Sequence, residues 1–249
     1  MKKIYGMLLC CLLSLPSVWG QVLWQQANDA YGREDYQQAI ALYGQLQEEE
    51  GSSVTLYYNL GNAFYKAQKY PEAILNYERA LLLSPGNADV RFNLEMAKAR
   101  ITDKIEPVGT FFLTVWIHSV RDMFSSDSWA IFGIVCFILF IAGACLYFFG
   151  RRTGWKKAGF FAGLAFLFFS VIANVFAAAQ KEKLELRNEA IVFAPSITVK
   201  SAPAESGTDL FVLHEGTKVK ILSVIGEWSE ILIEDGNRGW LPSADIEII

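Results

Sequence analysis

Few groups in this protein could support covalent or metal chemistry. It has two histidines and four cysteines. His118 lies near Arg121 and Asp122, and His214 stands in Leu213-His214-Glu215-Gly216. Neither has ligands placed as a zinc site requires. Cys10 and Cys11 fall in an N-terminal apolar run. Cys136 and Cys145 fall in a second apolar run, nine residues apart, so on a helix they point to roughly opposite faces and cannot bridge. There is no glycine-rich phosphate loop and no serine in a nucleophile elbow. Glu34-Asp35 and Glu48-Glu49-Glu50 read as solvated turn charges. The expectation is a protein without catalytic residues, metal or cofactor. What remains is recognition chemistry, from aromatic rings and carboxamides.

Those groups recur. Ala27, Asn28, Tyr31, Tyr36, Ala39, Ile40 and Tyr43 return 34 residues later as Gly61, Asn62, Tyr65, Tyr70, Ala73, Ile74 and Tyr77. A 34-residue period with small and aromatic residues at fixed offsets is the tetratricopeptide signature, built from antiparallel helix pairs. The second repeat predicts helices over Ser53–Ala67 and Tyr70–Leu83, with Pro71 in a first turn where its missing donor is harmless. A helix from Ala88 to about Lys104 occupies the first slot of a third repeat. Its partner is absent, so it caps the array or packs onto the next segment. In tetratricopeptide domains the inner face comes from fixed positions on each first helix. The resemblance places Trp24, Asn28, Tyr31, Tyr58, Asn62, Tyr65, Lys66, Phe92 and Arg100 in a protein-binding groove. Asn28 and Asn59 match a carboxylate-clamp pattern, but Trp24, Asp89 and Asn93 stand where its cations belong. An extended or helical segment with apolar anchors suits this groove better. The alternative is that several of these rings are core.

Three apolar segments surround and follow the repeats. Residues 1–20 have a charged start, a short apolar stretch and Val18-Trp19-Gly20 at the end, the pattern of a secretory signal peptide. Residues 129–149 and 158–179 hold no charged residue, and each is long enough as a helix to cross a bilayer. Residues 150–157 carry Arg151, Arg152, Lys156 and Lys157, which predicts a cytoplasmic loop. Both flanking parts then face the periplasm. These parts carry 8 basic and 12 acidic groups (residues 21–106) and 7 and 12 (residues 180–249). That acidic balance argues against nucleic acid as a partner. Residues 107–128 set Phe112, Trp116, Val120 and Met123 against His118, Arg121, Asp122 and Ser125. That pattern fits an amphipathic helix on the membrane surface, or one packed on the repeats. Small residues Gly143, Ala144, Gly159 and Gly163 offer close approach to partner spans.

From residue 180 onward the pattern is short strands: Ala190–Phe193, Thr198–Lys200, Lys218–Val224, Ser229–Ile233 and Gly239–Leu241. Turn residues separate them, and the expectation is a small all-β barrel. Val199-Lys200-Ser201-Ala202-Pro203, Glu227-Trp228 and Gly239-Trp240-Leu241-Pro242 resemble bacterial SH3-type domains. Trp228 and Trp240, with Phe211, form the candidate SH3-like surface, against the alternative that the tryptophans are barrel core.

The whole is read as a multi-domain membrane protein: tetratricopeptide repeats, a two-helix transmembrane hairpin and an SH3-like barrel. This order, with Ser125-Ser126-Asp127-Ser128-Trp129-Ala130 before the first span, resembles the BatE family of the aerotolerance operon of Bacteroidetes-type bacteria. The resemblance implies an inner-membrane scaffold beside von Willebrand factor A-type membrane proteins and a MoxR-type ATPase. The alternatives are a cell-wall anchor binding peptidoglycan peptides and an envelope-stress sensor.

Overall fold

The computed structural model describes residues 20–105, 109 and 111–249. The signal-peptide reading falls on residues 1–20, and all of these but residue 20 lie outside the described part. The protein forms two units. One comprises residues up to 83, 87–105 and 188–249, and the other comprises residues 84–86 and 109–187.

In the first unit the repeats are helix pairs. Residues 20–32 form α1, followed by α2 (Tyr36–Glu50), α3 (Val54–Lys66), α4 (Tyr70–Leu83) and α5 (Ala88–Lys98). Asp35, Ser53 and Asn87 cap α2, α3 and α5 by accepting from the main-chain N–H three residues on, the N-cap bond that a short polar residue provides. The two intra-repeat turns are copies of each other. Glu34 and Gln68 take left-handed backbone at φ 64° and 62°. The next residue then bonds back into the helix, Asp35 N–H to Ala30 O at 3.0 Å and Lys69 N–H to Phe64 O at 2.9 Å. Such a residue ends a helix cleanly even when it is not glycine. Gly61 explains the small position of the second repeat, since a Cβ there would meet the Tyr77 ring at 2.6 Å.

Helix α5 ends at Lys98, short of the expected Lys104. Ala99 and Arg100 still bond back into its last turn, and beyond them the Asp103 side chain engages the sheet described next.

That sheet has seven antiparallel strands: β1 (Glu189–Val192), β2 (Ser196–Lys200), β3 (Asp209–His214), β4 (Lys218–Ile225), β5 (Trp228–Leu232), β6 (Arg238–Pro242) and β7 (Ile246–Ile248). Their order is β3-β2-β6-β5-β4-β1-β7. Strands β3 and β7 go beyond the five expected. Leu213 on the first strand of that order and Ala190 near its other end share one core with Val199, Ile231 and Leu241, so the sheet curls around its own interior. Strand β1 is buried on both faces. Ala190 and Val192 enter that core, while Ile191 joins Ile249 in the repeat core with Ile74, Tyr77, Val90 and Leu94. Alternation of residues between the two faces of a strand makes this double burial possible. The repeats and the sheet are therefore one body, not the two separate modules that the composition suggested. The sheet covers the face that the missing second helix of a third pair would otherwise cover.

The second unit holds α6 (Phe112–Arg121), α7 (Ser126–Phe149) and α8 (Thr153–Leu186). Both α7 and α8 are long and apolar enough to cross a membrane. They are also longer than expected. Helix α7 starts at its Ser125 cap, and α8 runs from Thr153 through Leu186 into the segment assigned to the barrel. They pack antiparallel. Ser126 Oγ donates to Ala177 O at 3.0 Å, and Ser170 Oγ donates to Gly133 O at 2.9 Å. A Cβ on Gly159 would meet Gly143 O at 2.6 Å, and one on Gly143 would meet the Gly163 Cα at 2.9 Å. The small residues expected to face partner spans are thus used inside the hairpin, where only glycine lets the backbones approach this closely. Helix α6 has no buried residue. Its C-terminal end is fixed by Trp129 Nε1 and Gln180 Nε2, which both donate to Arg121 O, at 2.8 and 3.1 Å.

Candidate functional site

The groove is built from equivalent positions of successive repeats. Tyr31, Tyr58, Asn62, Tyr65, Lys66 and Phe92 line one cavity of about 330 Å³ together with Tyr77, Asn93 and Met96. These residues come from α1, α3, α4 and α5, so the repeat geometry gathers them. Tyr77 Oη donates to Asn62 Oδ1 at 2.7 Å, and one repeat earlier Tyr43 Oη donates to Asn28 Oδ1, also at 2.7 Å. Rings repeat in the same way. Tyr31 meets Tyr36 edge-on at 5.5 Å and 66°, and Tyr65 meets Tyr70 at 5.7 Å and 64°. Burial pushes the Tyr43 phenol up to about 12, with Tyr31 adding to it. Burial likewise raises Tyr77, with Tyr31, Tyr58 and Tyr65 adding to it. Both hydroxyls therefore keep their protons and donate.

Three of the expected groove residues lie outside this cavity. Trp24 meets Tyr43 edge-on at 5.8 Å and donates through Nε1 to Glu50 at 3.2 Å. Asn28 is exposed one repeat away. Arg100 stands beyond the end of α5, where Tyr65 and then Tyr70 hold its guanidinium above the ordinary value. Asn93 stands where a clamp cation would be needed, yet it lines the cavity. Its Nδ2 donates to Asn62 Oδ1 at 2.8 Å and to Tyr58 Oη at 3.3 Å. Its position 34 residues after Asn59 is the signal available in the sequence.

On the other side of α4 and α5, the repeats meet the sheet through ions. Glu78 accepts from Lys98 at 3.2 Å and from Lys218 at 2.9 Å, and Lys218 also pairs with Glu189 at 2.8 Å. Burial by itself would raise the Glu78 carboxyl, but Lys218 and then Lys98 pull it down to about 2. Burial would lower Lys218, and Glu78 and Glu189 more than reverse this. Arg79 Nη2 donates to Glu247 at 2.9 Å and to Ile248 O at 2.8 Å. Asp103 accepts from the His214 main-chain N–H at 2.8 Å and the Thr217 hydroxyl at 2.7 Å, and its other oxygen meets His214 Nδ1 at 2.7 Å. Burial opposes ionisation of Asp103, yet these bonds hold its carboxyl below the ordinary value. His214 therefore has a structural role, with a partner 111 residues away that no local motif reveals.

On the sheet, Phe211 packs against the interior core, whereas Trp228 and Trp240 do not belong to it. Both tryptophans are half-buried on the opposite face. Trp228 stands across from Pro242, and Trp240 stands between Glu230 and Lys200.

Comparison with known families agrees with this division. A tetratricopeptide repeat model matches residues 25–88, and a bacterial SH3 domain model matches residues 195–247. No curated protein matches the sequence. The matched segments exclude nearly all of α5, the Asp103 segment and β1, which are the pieces that join repeat to sheet. The protein carries a tetratricopeptide segment and a bacterial SH3-type segment, two module types associated with protein interaction and with peptidoglycan binding.

Proposed function

We propose that this protein is a non-enzymatic scaffold of the bacterial inner membrane, anchored by α7 and α8, whose repeat groove captures a protein partner on the periplasmic side. The observation that carries the proposal is the groove itself. Six residues expected at partner-facing positions converge on one cavity and leave amide and ring surface open to solvent.

The anchoring follows from α7 and α8, whose apolar residues, such as Ile134, Phe137, Phe161 and Phe168, remain largely uncovered. Helices apolar all round need a hydrocarbon environment. The repeats precede the hairpin, the sheet follows it, and the two share one core, so both must emerge on the same face of a bilayer. Arg151, Arg152, Lys156 and Lys157 assign the opposite face to the cytoplasm. The partners best suited to the BatE resemblance are von Willebrand factor A-type membrane proteins of a Bat-type envelope complex.

The test is photocrosslinking from position 58 or 92 in intact cells, followed by purification in mild detergent and mass spectrometry. A membrane-protein partner crosslinked from the groove is the expected result. Recovery of peptidoglycan alone would transfer the function to the sheet. That second reading rests on Trp228 and Trp240, which stand outside the core, and it predicts that Trp240→Ala abolishes binding to purified sacculi.

A further inference from the structure

Along residues 158–179 of α8 only Ser170 and Asn174 carry a hydrogen-bonding side chain. Ser170 is buried and donates to Gly133 O across the hairpin. Asn174 is exposed. Its Nδ2 donates to Ser170 O, one turn back on the same helix, at 2.8 Å, and among the described residues nothing donates to its oxygen. A carboxamide has two N–H donors and an oxygen with two lone pairs, so most of its bonding capacity is unused. At about 1.5 Å per residue, Asn174 lies about 7 Å inside the uncharged stretch. Its short side chain cannot carry the amide out to the headgroups as a lysine or arginine does. In hydrocarbon such a group gains by finding a partner on a neighbouring helix.

The residues around it supply a face for that neighbour. Phe160, Leu164, Leu167, Val171 and Ala178 stand with Asn174 at alternating steps of four and three, and all but the half-buried Leu167 are exposed. A step of 3.5 residues on average keeps side chains on one line where two helices wind left-handedly about each other. The seam with α7 uses a different line, through Gly159, Gly163, Ser170, Ala173 and Ala177. Copies of this chain in one membrane share their orientation. Helix α8 of one copy therefore meets α8 of another in parallel, and each residue meets its own equivalent at the same depth. A carboxamide both donates and accepts, so Asn174 is complementary to itself across a two-fold axis. A span of another protein satisfies Asn174 only if it carries a polar group at that depth.

We infer that two copies of this protein pair in the membrane through the α8 face from Phe160 to Ala178, with the Asn174 amide bonded to its equivalent in the second copy. The inference rests on α7 and α8 crossing a bilayer.

The test uses the full-length protein in phosphatidylcholine vesicles, one population labelled with a donor fluorophore and one with an acceptor. Energy transfer followed as lipid dilutes the protein gives the dissociation constant. Asn174→Ala should raise that constant about three- to thirtyfold, the worth of an interhelical hydrogen bond. Asn174→Gln keeps the same donors and acceptor and should restore most of the affinity. A second measurement leaves Asn174 in place and replaces Cys136 and Cys145 by alanine. There Ala178→Cys should form a disulfide-linked dimer on mild oxidation of cell membranes, whereas Ala179→Cys, about 100° around the helix, should not. Energy transfer no higher than random collision gives, from protein that resists carbonate extraction, overturns the pairing and leaves the anchoring intact. Pairing that Asn174→Ala does not weaken overturns the role of the amide, and crosslinking from position 178 to a different protein overturns the second copy. Release of the protein from membranes by carbonate overturns the anchoring itself, and the inference with it.

Discussion

Helices α4 and α5 serve two surfaces, the groove on one side and the seam with the sheet on the other. At the seam Glu78, Lys98, Lys218 and Glu189 are paired with one another inside the protein, over apolar contacts between Ile191 and the repeat core. At the groove the lining is mostly phenol, amide and ring, and the Asn62 amide accepts at its oxygen from Tyr77 and Asn93. The difference follows from desolvation. A buried ion must be paired permanently, because exposing it repeatedly to a dry interface is costly. A neutral amide can exchange water for a partner at little net cost. On the proposed function, the permanent interface and the reversible one differ in the kind of polar group each uses.

The comparison can be broken at the seam first. Lys218→Met removes the cation shared by Glu78 and Glu189, and the fold should lose about 3–5 kcal/mol, as when one partner of a buried pair is deleted. Thermal unfolding in detergent, followed by circular dichroism, measures this. A loss under about 1 kcal/mol would show that apolar packing alone holds the sheet to the repeats.

Acid comes next. Glu78 lies at about 2 in the fold against an ordinary 4.5, a difference of about 3 kcal/mol. Its folded value is depressed, so the stabilisation is complete above 4.5 and is lost as pH falls toward 2. Asp103 acts in the same direction. Denaturant midpoints from about pH 6 down to about pH 2 should fall steeply for the native protein and less so for Glu78→Gln. Equal slopes would remove Glu78 from the account.

The smallest effect belongs to the groove. Asn93→Ala deletes one of the two donors at Asn62 and should cost about 1 kcal/mol or less in stability, with helix content intact and partner capture reduced. A larger loss with helix unfolding would make Asn93 a core residue.

Much of the helical part is legible because its signals are local. Helix α4 is expected at Tyr70–Leu83 and lies there, since Pro71, the small Ala73 and Ala80 and a following Ser-Pro-Gly mark it on both sides. Turns at Gly216, Gly226 and Gly236 are expected from composition, and all three glycines take positive φ. Strand β3 escapes because Leu210, Phe211, Val212 and Leu213 form an unbroken apolar run without alternation. Strand β7 has three residues and exists only by pairing with β1. Among the groove residues, Tyr58, Asn62 and Tyr65 follow from the repeat register. The register also places Asn93, 34 residues after Asn59, but its bonds to Asn62 and Tyr58 depend on how α5 closes against α3.

By itself the sequence determined the helix pairs, the recurrence of tyrosine and asparagine at the repeat period, and two helices apolar all round. Each of these depends on residues within about one repeat or one helix length, where spacing alone sets which residues share a face. Only the tertiary structure decided that repeat and sheet share a core, and that His214 and Lys218 secure it to Asp103 and Glu78 across 111 and 140 residues. Periodicity records that a face is buried. It does not record against what, because that choice is made by the shape and charge of residues far away in the sequence.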